Sequence, residues 1–315
     1  MNLYAIDVNN LHLSFGKYPA LRAVDLKVPK GSAMALLGEN GAGKTTTLRV
    51  LTGIYQAQQG TGSVLGKPLG CEDSDVFQRI GYVSENQELP KNWTLQKLIN
   101  YLRPLYPTWD DEFCAELVEE FELPLDRKLS HMSRGMFMKV SLLSSMAYRP
   151  ELLILDEPFS GLDPLVREEL IDGILELMDG GDWTVILSSH DVHEVERLCD
   201  AVTILELGMP ILSEPMDSLQ NRYRKWTLLL EKPISNLDFP SDWLLVDQLS
   251  ELSWTLTETQ HNPETSAQRI RNHFGSIASI DSQTLSLRDI YLTLAKQKKR
   301  NRRNIRKQKK TTNQA

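Results

Sequence analysis

The 315-residue sequence has no apolar run approaching the roughly 18 residues that a membrane-crossing helix requires. Its opening, MNLYAIDVNN, also lacks the basic segment followed by an apolar one that marks a secretion signal. A chain that stays in the cytosol is expected. Cysteine is scarce: Cys71, Cys114 and Cys199 are far apart and free of any CxxC pairing. Neither a disulfide framework nor a zinc cluster fits that usage, so the three read as reduced, structural thiols. What is present is an ordinary soluble composition, 41% hydrophobic and 24% charged with a mean hydropathy of -0.31, which excludes global disorder. The length suits one large domain with an appendage, or two modest domains.

Charge is unevenly spread behind a net value of -7. Ten Lys and Arg residues and no acid fall between Lys296 and Lys310, leaving 25 basic and 42 acidic residues, or -17, before that point. Dense like charge with little apolar surface favours disorder or an isolated basic helix in this tail. Its three readings are a solubilising tail, a contact with anionic lipid, and, less favoured, RNA binding.

Along the chain, LHLSF and VDLKV alternate as antiparallel strands would, separated by Gly16, Pro19 and Pro29. AMALL reads as a buried strand, and Lys44 to Thr52, closed by Gly53, as a helix. From about 89 to 131 the pattern is helical and reads as an insertion. Apolar runs return at LLIL, TVIL and AVTIL with helical segments between them, as a covered parallel sheet requires. The first domain is therefore set at 1–215. A small α/β domain over 216–295 is read from the strand-like KWTLLLE, DWLLVDQL and SWTLTET and the helix-like SAQRIRNHF and SLRDIYLTLAKQ. The basic tail, 296–315, is expected to be disordered.

The strongest chemical signal is Gly38-Glu39-Asn40-Gly41-Ala42-Gly43-Lys44-Thr45, a complete phosphate-binding loop between a predicted strand and a predicted helix. Its glycines let backbone N–H groups converge on phosphate oxygens, and the helix N-terminus adds positive potential. Lys44 can bridge the terminal phosphates, the Thr45 hydroxyl can ligand Mg²⁺, and Thr46 belongs to the same nucleotide-binding stretch. A glycine-rich turn without a ligand is the bland alternative, and the strand-loop-helix context weighs against it. In LLILDEP, a buried strand ends in Asp156 and Glu157, where open α/β sheets bind ligands. One carboxylate can hold Mg²⁺ while the other polarises the attacking water; alone, the pair would read as solvated loop acids.

At these residues the chain resembles the ATP-binding subunits of ABC transporters, over about residues 3 to 215. Ser160-Gly161-Leu162-Asp163 resembles the family's D-loop, and His190 its switch histidine on the γ-phosphate. Phe15, in SFG, stands where the family stacks an aromatic on adenine, and equally reads as a core residue. Met132-Ser133-Arg134-Gly135-Met136 corresponds to the LSGGQ signature. Ser133 and Gly135 keep the groups implied to reach the γ-phosphate of ATP on the opposite subunit, whereas Met132, Arg134 and Met136 depart. Arg134 either adds positive charge near phosphate or points into solvent. Glu85, in IGYVSENQ, takes the place of the Q-loop glutamine, with Gln87 two residues late. As a Mg²⁺ ligand, Glu85 would add a full negative charge beside an already anionic nucleotide. The departures, with YPTWDDEFCAELVEEFELPLDRKLSHMSRGM, are similar to the type-2 exporter branch of bacterial ABC proteins, particularly a group of small drug- or antibiotic-responsive transporters.

The resemblance implies an α/β fold, a P-loop NTPase of ABC ATPase type with an antiparallel β subdomain and a helical insertion, here with a small C-terminal α/β appendage. It also implies a Mg²⁺-dependent ATPase with Glu157 and His190 as catalytic residues. The nucleotide contacts would be Phe15, Gly38 to Thr46, Ser133 and Gly135; Thr45, Asp156 and Glu85 would be the metal positions. ATP would bind between two ATPase subunits, a homodimer by expectation. That dimer would power an integral membrane permease on a separate chain, for export, from the cytoplasmic face of the cell membrane. A soluble ABC ATPase acting on nucleic acid or ribosomes is the alternative, with the basic tail as its best argument. Such proteins usually join two cassettes or insert a long coiled coil, and this chain has neither. A non-catalytic nucleotide-binding regulator is disfavoured by the presence of both Glu157 and His190.

Overall fold

A computed structural model of the chain describes residues 3–70, 74–179, 183–234 and 238–312. Cys71 lies outside them. The chain divides into two compact units, Met1–Glu214 and Pro215–Ala315.

The first unit opens with two long strands, β1 (Tyr4–Phe15) and β2 (Tyr18–Pro29), paired antiparallel. Alternation turns Val24, Leu26 and Val28 inward and Asp25 and Lys27 outward. Next, β3 (Ala33–Leu37) leads through the loop 38–43 into α1 (Lys44–Leu51). The short strands β4 (Gln59–Val64) and β5 (Lys67–Pro68) complete a four-stranded sheet of order β2-β1-β4-β5. A short helix, α2 (Ser74–Phe77), precedes the edge strand β6 (Ile80–Ser84) of a second sheet.

Three helices follow: α3 (Leu95–Leu102), α4 (Asp111–Glu120) and α5 (Arg134–Met146). Each begins where a short polar side chain can accept from the third following backbone N–H, Thr94 from Lys97, Asp110 from Phe113 and Ser133 from Met136. Helical structure thus runs past residue 131 to Met146. The remaining elements are β7 (Leu152–Asp156), α6 (Pro164–Asp179), β8 (Thr184–Ser189), α7 (Val192–Leu198), β9 (Ala201–Glu206) and β10 (Met209–Pro215).

The second sheet has the order β10-β9-β3-β8-β7-β6, and its five strands from β9 to β6 run parallel. Its central strands β3, β7 and β8 are buried at every residue, as a sheet covered on both faces demands. Register then decides what meets at the carboxyl edge: Ser84 pairs with Asp156, Asp156 with Ser188, and Leu37 with Ser189. Burial pushes the Cys114 thiol up to about 11 and raises Cys199 as well, so both stay protonated.

In the second unit, α8 (Met216–Arg222) and β11 (Arg224–Leu230) are followed by β12 (Trp243–Gln248), β13 (Ser253–Glu258), α9 (Ser266–Phe274), β14 (Ile277–Thr284) and α10 (Leu287–Thr312). The sheet order is β12-β13-β11-β14, antiparallel throughout. Trp226, Leu228, Trp243, Leu256, Ile270 and Phe274 form its core. Inside it, Glu258 is fully buried and accepts from the Trp226 indole at 3.0 Å and the Ser266 hydroxyl at 2.9 Å.

Helix α10 carries the backbone without a break through Thr312. Leu287 and Ile290 are buried, Leu245 donates its N–H to Gln297 Oε1 at 3.0 Å, and Arg300 donates to Val246 O at 3.1 Å and Asp247 Oδ1 at 2.9 Å. These contacts tie α10 to β12 as far as Arg300. Among the described residues, no helix is long and apolar enough to cross a membrane.

Candidate functional site

The loop 38–43 is clamped by its neighbours. A Cβ at Gly38 would stand 2.4 Å from Leu205 O, and one at Gly43, where φ is 105°, would stand 2.9 Å from Ala20 O. Only glycine fits both positions. Glu39, Asn40 and Gly41 remain exposed, whereas Ala42 is buried and Thr46 is half-buried in the first turn of α1. Lys44, only 5% exposed, folds back over the loop, donating to Gly38 O at 2.7 Å and Glu39 O at 3.3 Å. Its Nζ also lies 2.9 Å from Glu157 Oε1, an ion pair without hydrogen-bond alignment.

Three hydroxyls converge on the buried Asp156. Thr45 donates to Oδ1 at 2.9 Å, Ser188 to Oδ1 at 2.7 Å and Tyr82 to Oδ2 at 3.3 Å. Burial, and then the adjacent carboxylate, pushes the Tyr82 phenol up to about 12, so it remains a donor. Glu157 follows at φ 52°, a left-handed conformation that a side chain adopts only when its surroundings hold it. The hold is visible: its N–H donates to Ser188 O at 3.1 Å and to Ser188 Oγ at 3.0 Å. Glu157 Oε2 then meets His190 Nδ1 at 2.7 Å. Beside His190 in sequence, the Ser189 hydroxyl donates to the buried Glu194, whose carboxyl is raised by burial. Arg167 donates to Asp191 Oδ2 at 2.8 Å.

The structure therefore brings Lys44, Thr45, Asp156, Glu157 and His190 into one chain of contacts. Phe15 stands elsewhere, 48% exposed, with its ring edge-on to Tyr55 at 5.3 Å, so it is not a core residue. Ser133 caps α5, and Gly135 packs so closely on Val166 that a Cβ would come within 2.5 Å of Cγ1. Glu85 does not turn its carboxylate to Thr45 and Asp156. Its Oε1 accepts instead from Arg134 at 2.9 Å and Ser160 at 3.0 Å, while its N–H donates to Asp156 O at 3.0 Å. Glu85 and Arg134 are thus paired with each other, and the Arg134 side chain remains 53% exposed. Sequence reasoning overlooked Tyr82 and Ser188. The polar end of TVILSS, just before His190, was the available signal for Ser188.

Comparison with known proteins gives a consistent result. The ABC transporter family model matches residues 21–160. The uncharacterized ABC transporter ATP-binding protein YhaQ of Bacillus subtilis is 33% identical over 225 residues, covering 70% of this chain and 74% of YhaQ. The Nod factor export ATP-binding protein I of Burkholderia orbicola is 32% identical over 216 residues, covering 67% of this chain and 71% of that protein. A solved ATP-binding subunit of an ABC transporter superposes with a TM-score of 0.62 at 29% identity, covering 69% of this chain and 92% of that one.

Proposed function

The chain belongs to the ATP-binding proteins of ABC transporters, and from that premise we propose that it hydrolyses ATP with Mg²⁺ to drive a permease carried on a separate chain. The observation that carries this reading is the unbroken contact chain from Lys44 through Glu157 to His190, beside Thr45 and Asp156. A polyphosphate on the loop offers Lys44 a stronger anionic partner than Glu157 does. Transfer of the ammonium frees Glu157 Oε1 to take a proton from water, while the contact to His190 keeps the carboxylate aimed.

Hydroxyl and carboxylate oxygens of Thr45 and Asp156, 2.9 Å apart, form the hard-donor pair that suits Mg²⁺, which usually takes one or two protein ligands beside substrate phosphates. The metal's chemical contribution is to neutralise charge on the β- and γ-phosphates. His190 is the γ-phosphate contact and Phe15 the exposed aromatic available to adenine. Ser133 and Gly135 serve the ATP of a second subunit, with a homodimer as the simplest assembly.

Export is the favoured direction, because the Burkholderia relative is a Nod factor export protein and the signature departures resemble the type-2 exporter branch. The assembly works peripherally at the cytoplasmic face of the cell membrane, and the basic segment from Lys296 contacts anionic lipid. The relatives reported above are transporter subunits and lend the nucleic-acid alternative no support.

The test compares two variants of the purified chain. Lys44→Ala is expected to lower ATP affinity by about 10²-fold. Glu157→Gln should keep binding, lose about 10²-fold or more in turnover, and form an ATP-dependent dimer seen by light scattering. A fully active Glu157→Gln chain would reassign the base.

A further inference from the structure

The two charged departures, Glu85 and Arg134, lie 49 residues apart in sequence and meet in the fold. One oxygen, Glu85 Oε1, receives both Arg134 at 2.9 Å and the Ser160 hydroxyl at 3.0 Å. The Arg134 guanidinium also covers Gly161, where φ is 65°, so closely that a Cβ there would come within 2.5 Å of Nη1 and 2.7 Å of Cζ. On the main chain, Glu85 donates its N–H to Asp156 O at 3.0 Å. A single ion pair therefore joins three segments: the end of β6, the first residue of α5, and the 157–163 turn that follows the carboxylates.

Each charge is awkward alone. A cation in the first turn of a helix opposes the macrodipole, and a carboxylate close to a nucleotide site repels phosphate. Together they remove each other's penalty, which gives one physical reason for both substitutions.

We propose that the Glu85–Arg134 pair is a charge latch, with Arg134 as a positioning residue that fixes Ser133 and Gly135 relative to Asp156 and Glu157. The latch would link the surface facing a partner's ATP to the carboxylates serving this chain's own. It rests on the reading of Ser133 and Gly135 as partner-facing residues. Exposed pairs contribute little to fold stability, and Arg134 is 53% and Glu85 34% exposed, so the pair supplies register rather than stability.

The test uses the full chain as Arg134→Ala, Glu85→Ala, Arg134→Lys and the reciprocal pair Glu85→Arg with Arg134→Glu. Each alanine variant should lose about tenfold or more in turnover, as small misplacements of a reacting geometry do. Affinity for a fluorescent ATP analogue should stay within about twofold, and Tm within about 2 °C. Hydrogen exchange over residues 133–137 should quicken in both alanine variants. Arg134→Lys and the reciprocal pair should recover turnover and exchange protection toward the parent.

Unchanged turnover and exchange in Arg134→Ala would overturn the latch. So would loss of ATP-analogue binding, or recovery by neither the lysine variant nor the reciprocal pair. If the parent chain shows no ATPase activity, the proposed function fails instead, and exchange over 133–137 alone decides the latch.

Discussion

Each unit buries one carboxylate in a sheet, and the two are held in opposite ways. Glu258 is 0% exposed and gathers its partners from within its own unit: the Trp226 indole, the Ser266 hydroxyl, His261 at 3.4 Å and Arg269 at 3.5 Å. Asp156 is 5% exposed, sits at the carboxyl edge of a parallel sheet and is held by rotatable hydroxyls, one of them at the start of the phosphate loop's helix. Hydroxyls can turn to a new acceptor or yield to a cation, whereas an indole wedged in a core cannot. The contrast teaches that a buried carboxylate tied in part by a wedged indole holds a fold together, while one tied by hydroxyls alone is poised for exchange.

That contrast can be broken most forcefully at Glu258. Glu258→Ala should destabilise the chain by about 3–5 kcal/mol, since it strands an indole and a hydroxyl beside Arg269, and urea unfolding would measure it. Asp156→Asn should invert the pattern, with a turnover loss of about 10²-fold but a stability change of about 1 kcal/mol. Equal stability losses in the two variants would erase the distinction.

Serine provides a finer comparison, because each carboxylate has one serine donor. Ser266→Ala should cost about 1–3 kcal/mol of stability with turnover kept, whereas Ser188→Ala should lower turnover by about tenfold, because Ser188 also receives the Glu157 N–H. Tyr82→Phe should have the smallest effect, about 0.5 kcal/mol. With the phenol held near 12, the pH-rate profiles of parent and variant should coincide below about pH 10.

Most of this was readable where the signal is local. A glycine loop between apolar runs shows itself within a dozen residues, and AMALL, LLIL and TVIL became β3, β7 and β8 because a covered parallel sheet needs continuous apolar strands. The strand β4, QGTGSV, escaped notice because glycine and polar residues hide its period, and β6 because IGYVS is short. Register was beyond reach: nothing near Asp156 in the sequence announces Ser188, which sheet pairing sets beside it. The same holds for Glu85 and Arg134, which looked like separate losses until the fold joined them. For α10, charge pattern left disorder and an isolated basic helix both open, and the anchors to Leu245 and Val246 lie too far back in the chain to be read locally.

A chain of like charges ordinarily relaxes by swelling; a rod cannot. The 26 residues of α10 span about 39 Å as a helix, tied to β12 near its middle through Gln297 and Arg300. Its helix content should therefore act as an ionic gauge, rising as salt or an anionic surface screens the repulsion and fraying from the C-terminal end as screening is withdrawn.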